Sequence, residues 1–145
     1  MDRWVRVTML GVVLLTMASA SVARGEDKPE AVAEKAAQSW LAVVDAGKYG
    51  ESWDQAAQSF KKAVTQEKWI GALKQVREPL GKAASRKVKG TEYQENPPGG
   101  PAGKYVIVQY NTDFENKKAT VETVSLTLES DGQWRVAGYF IKPGE

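Results

Sequence analysis

The sequence predicts an α+β fold: three N-terminal helices packed on a curved antiparallel sheet of about four strands, cone-like in outline and preceded by a signal peptide. Two rhythms predict it. Between Val32 and Val76, apolar residues recur every three or four positions, as on one face of a helix. After Gly81 the period becomes two, in segments rich in β-branched and aromatic side chains. Helices first and strands second describe a layered α+β architecture.

The chain opens with Arg3 and Arg6, an apolar stretch from Val7 to Met17, and the small residues Ala18-Ser19-Ala20-Ser21. A basic region, a short apolar region and an A-x-A site at Ala18 to Ala20, or a later S-x-A site at Ser21 to Ala23, make a secretory signal peptide, and the stretch is too short for a spanning helix. The expected division is therefore a signal peptide over residues 1–23 and a single α+β domain over residues 24–145, periplasmic or secreted. No stable membrane insertion is expected after cleavage. With no cysteine in the chain, no lipid can be attached to one.

Met1, Met9 and Met17 are the only methionines, so cleavage leaves a domain without methionine, cysteine or histidine. Loss of Arg3, Arg6 and Asp2 takes the net charge from +2 to about +1. A near-neutral surface with mixed charges offers nucleic acid no footprint. Without disulfides, one hydrophobic core has to hold the fold.

Proline and an acid suit the first turn of a helix, so Asp27, Pro29 and Glu30 open the first one. Its apolar face is Val32, Ala36, Ala37, Trp40, Leu41, Val43 and Val44, and Gly47 ends it. Tyr49, Trp53, Ala56, Ala57, Phe60 and Val64 form the stripe of a second helix. Thr65 caps a third, which carries Trp69, Ala72, Leu73 and Val76 and stops at Pro79 and Gly81.

Arg86 to Tyr93 is a strand candidate, followed by a proline- and glycine-rich loop from Glu95 to Gly103. Lys104 to Phe114, Thr120 to Glu129 and Trp134 to Lys142 then form a meander, with turns at Glu115–Ala119 and Ser130–Gln133. Alternation puts Val124, Leu126 and Leu128 on the face under the helices, beside Val106, Val108 and Tyr110 on one side and Trp134, Val136 and Phe140 on the other. Gly138 marks a bulge or bend. The opposite face then shows Tyr105, Ile107, Tyr139 and Ile141, an apolar set that suits a homodimer or an envelope protein partner.

Trp40, Asp45-x-Gly47-x-Tyr49-x-x-Ser52-Trp53, Arg77-x-Pro79-Leu80-Gly81, Tyr105-x-x-x-x-Tyr110, Phe114-Glu115-Asn116, Glu122-Thr123-Val124 and Asp131-Gly132-x-Trp134-Arg135-Val136-x-Gly138-Tyr139-Phe140 occur in that order. In this the chain resembles the bacterial domain-of-unknown-function family 4019. The resemblance implies an exported or envelope-associated protein with a pattern similar to the nuclear transport factor 2-like and cystatin-like cone folds. It implies no activity.

Lacking histidine and cysteine, the domain has few routes to general-base, covalent or transition-metal chemistry, and neither a metal site nor a cofactor is expected. The acids nearest apolar faces are Asp45, Asp54, Glu78 and Glu122. Each has an ordinary reading as a cap, a helix-surface group or the exposed end of a strand row. The candidate ligand-binding residues are Trp53, Trp69 and Arg77, in an apolar pocket between helices and sheet, with Arg77 holding a carboxylate ligand or a buried acid such as Asp54. The expected function is that of an exported non-enzymatic module binding a small molecule, a peptide or a protein partner. A hydrolase or isomerase using pocket carboxylates, or a structural homodimer, is the alternative.

Overall fold

The computed structural model describes residues 27–144. The expected signal peptide lies outside the described residues. The elements follow as α1 (Pro29–Asp45), α2 (Tyr49–Asp54), α3 (Gln58–Ala63), α4 (Gln66–Leu80), β1 (Ala83–Glu95), β2 (Lys104–Phe114), β3 (Lys117–Leu128) and β4 (Trp134–Pro143). The strands form an open antiparallel sheet in the order β1-β2-β3-β4, so β1 and β4 are its edges. Among the described residues no helix is long and apolar enough to cross a membrane.

Helix α1 begins at Pro29, where a missing N–H removes no helical bond, and crosses all four strands. It buries Ala33, Ala37, Trp40, Leu41 and Val44, and the two alanines let its backbone approach the sheet closely. The stripe expected to form one second helix is split into α2 and α3. At the break the Ala57 N–H leaves the helical ladder and donates to the Val136 carbonyl on β4 at 2.8 Å. That bond ties the helical layer to the sheet edge.

Thr65 caps α4 as expected, its hydroxyl accepting from the Lys68 N–H at 3.3 Å. Only Trp69, Leu73 and Arg77 of this helix are buried. Val76, expected on the same face, is 46 % exposed, because α4 rests mainly on α2 rather than across the sheet. The β2–β3 hairpin closes the end of α4: the Asn116 N–H donates to the Leu80 carbonyl and its side chain to the Pro79 carbonyl, both at 3.0 Å. Gly81 follows with φ +75°, where a side chain would press on Glu115.

Strand β1 is longer than its sequence signal, and the β2–β3 turn is only Glu115 and Asn116. Val106, Val108, Val124 and Leu126 are fully buried beneath α1, as alternation predicts. On β4 alternation fails after Val136. Ser125 pairs with Gly138 but Leu126 with Val136, so Ala137 is an extra residue. A one-residue slip exchanges the two faces of everything beyond it. Tyr139 and Ile141, expected on the outer face, therefore point to the helix side opposite Val124 and Glu122. Phe140, expected in the core, lies opposite Thr123 on the outer face and is 53 % exposed.

Candidate functional site

The expected indole-lined pocket is filled by its own side chains. Trp40 and Trp69 stand 6.2 Å apart between ring centres, Trp69 meets Phe60 edge-on at 4.9 Å, and Trp40 meets Tyr139 edge-on at 5.2 Å. Each of these indole N–H groups, and that of Trp53, is used internally. Trp40 donates to the Ser52 carbonyl at 2.9 Å, Trp69 to the Ser52 hydroxyl at 3.0 Å, and Trp53 to the Val64 carbonyl at 2.8 Å. Buried donors with partners inside the protein are structural groups, and none of these three remains to orient a ligand.

Arg77 is buried next to that layer but meets neither Trp53 nor Asp54. Its Nη2 donates to Asp45 at 2.8 Å, and its guanidinium lies over the Phe114 ring at 5.0 Å. Arg86 on β1 donates to both oxygens of Asp45, at 2.7 and 3.0 Å, and to both oxygens of Glu122, at 2.7 and 3.2 Å. Glu122, expected at the exposed end of a strand row, is wholly buried and also accepts from Thr112 at 2.5 Å and from the Tyr139 hydroxyl. Two acids and two arginines thus form one neutral cluster with bidentate geometry.

The cluster shifts the titration of Asp45 and of the neighbouring Tyr139. Burial alone would raise the Asp45 carboxyl, but hydrogen bonds from Arg86 and then Arg77 outweigh it and hold the carboxyl below the ordinary 3.8. Burial and the neighbouring Glu122 charge push the Tyr139 hydroxyl well above its usual value, so it remains a donor. A depressed acid stabilises the fold above its unfolded value and loses that stabilisation as pH falls. Urea midpoints measured against pH should therefore fall below about pH 4. Asp45→Asn flattens that acid limb, and an unchanged limb would contradict the pairing.

On the outer face, near the centre of the sheet, lies an open hollow. Its lining includes Gly90, Glu92, Ile107, Gln109, Thr123, Ser125 and Phe140, and its volume is about 450 Å³. Its floor follows from register. Ile107, Ser125 and Gly138 share one row, so a hydroxymethyl and a bare backbone leave space that Ile107 and Phe140 wall in. Thr123 is only 4 % exposed although, among the described residues, no helix covers this face. Gln109 donates to its hydroxyl at 3.4 Å, and Glu92 stands at the rim.

Of the residues singled out in the sequence, Ile107 lines this hollow, while Tyr105 lies two positions along the same strand face and outside it. Trp53, Trp69, Arg77 and Tyr139 belong to the interior. Phe140 and Arg86 were missed. The signal for Phe140 was present in Gly138, since a bulge there reverses the faces downstream. Arg86 had no such signal, because its two acids come from α1 and β3. Among the described residues no group of three or more histidine, cysteine, aspartate or glutamate side chains could hold a metal ion.

No curated protein and no solved structure matches the chain. One family does, over residues 36–139, from the middle of α1 to the Tyr139 that closes on Glu122. The chain belongs to the family described as Protein of unknown function (DUF4019).

Proposed function

We propose that the chain is an exported, non-enzymatic module of the bacterial envelope that binds a small molecule in the hollow on the outer face of its sheet. The hollow itself carries this reading. Its volume of about 450 Å³ falls in the range of small-molecule sites, roughly 300–1,000 Å³. Its walls combine two apolar side chains with Gln109, Thr123 and Ser125, which suits a ligand with an apolar group flanked by hydrogen-bonding groups. Export rests on the basic, apolar and small-residue sequence of the first 23 positions.

The interior supports a binding role over a catalytic one. Glu122 accepts hydrogen bonds from Arg86, Thr112 and Tyr139, and Asp45 from Arg77 and Arg86, leaving neither free to exchange a proton with a substrate. Amide chemical shifts recorded against a library of small metabolites and short envelope peptides test the reading. Responses are expected at Ile107, Gln109, Thr123, Ser125 and Phe140, and Ser125→Trp should abolish them by filling the floor. Responses centred on Trp53, Trp69 and Arg77 would contradict it, and responses only to peptides would point to a protein partner.

A further inference from the structure

We propose that β1 is a dimerisation edge, through which two copies of this chain pair antiparallel about Lys89 and Gly90 and join their four-stranded sheets into one of eight. Among the described residues β1 pairs only with β2, leaving the backbone groups of its other side without a strand partner. No residue of β1 is buried, and Val88 is 42 % exposed. A long open edge invites strand addition, and lysines and a bulge are the usual means of discouraging it. This edge has both, in Lys87, Lys89 and the extra residue at Lys89.

A second copy is a partner against which Lys87 and the bulge do not act, leaving the two Lys89 side chains beside the axis as the remaining repulsion. Pairing with β2 puts Lys87 opposite Asn111 and Glu92 opposite Ile107, both on the outer face. It puts Val88 opposite Tyr110 and Thr91 opposite Val108, both on the helix side. In a twofold pairing centred between Lys89 and Gly90, Lys87 of one copy faces Glu92 of the other, and Val88 faces Thr91. Faces agree at every one of these positions, and the opposite-charge pair occurs twice by symmetry. The bulge falls on the axis, so both strands carry the interruption at the same place and the register does not slip. Each Glu92 lies at the rim of the outer hollow, so each hollow gains a lysine from the other copy.

Light scattering and sedimentation of the purified protein over a range of concentrations test this. A dimer is expected, and Lys87→Glu and Glu92→Lys should each weaken it about tenfold or more, since each turns two attractions into two repulsions. An equimolar mixture of the two variants should dimerise again. In the mixed pair the glutamate introduced into one copy faces the lysine introduced into the other, and the unchanged Glu92 of the first faces the unchanged Lys87 of the second. Both positions are exposed strand residues, so circular dichroism should show each variant folded. A wild-type protein that stays monomeric overturns the proposal. So does a dimer that both variants leave intact, a mixture that fails to recover, or a dimer broken instead by Phe140→Glu.

Discussion

Glu122→Ala is expected to lower stability by about 3–5 kcal/mol, a large share of the roughly 5–15 kcal/mol that holds a domain folded. The carboxylate is wholly buried and accepts from Arg86, Thr112 and Tyr139. Removing it leaves Asp45 as the one acid shared by Arg86 and Arg77 and takes the acceptor from two hydroxyls, and the excess buried positive charge is the most expensive of these losses. In a thermal scan the midpoint should drop by roughly 10–20 °C. Replacing Glu122 and Arg86 together by leucine and methionine should recover a large part of that loss, because no unpaired charge then remains at that position. A single-variant loss below about 1 kcal/mol would show the cluster to be far wetter than its geometry indicates.

Trp40→Ala is expected to cost a similar amount, about 3–5 kcal/mol, for a different reason. Trp40 is 3 % exposed and joins the two layers, touching Trp69 on α4 and Tyr139 on β4. Truncation opens a cavity at that junction and leaves the buried Ser52 carbonyl without its donor. Trp40→Phe separates the two effects. It keeps most of the ring volume and loses the hydrogen bond, so about 1–2 kcal/mol should go. Urea denaturation of both variants measures the order. Equal losses would assign the whole effect to the hydrogen bond.

The layer order, the capping of α4 by Thr65 and the buried row of Val124 and Leu126 were legible in the sequence because each depends on neighbours within one element. The split of the second helix was not, since the bond that causes it, from Ala57 to Val136, joins residues far apart in the chain. The same holds for the charge cluster. Asp45, Arg77, Arg86 and Glu122 lie on α1, α4, β1 and β3, and nothing in their local spacing announces that they meet. Phe140 is the intermediate case. Gly138 signalled a bulge, yet the face of Phe140 depends on where the extra residue falls, and only strand pairing fixes that at Ala137.

The closed interior and the open outer face both depend on that slip. Because the chain has no cysteine, single introduced thiols report accessibility without background. Phe140→Cys should react with a thiol reagent at nearly the rate of the urea-unfolded protein, while Tyr139→Cys, one position away, should stay protected until the protein unfolds. A protected thiol at 140 and a freely reactive one at 139 would place the oily side of β4 the other way round, returning the cavity to the interior and removing the hollow assigned to the ligand.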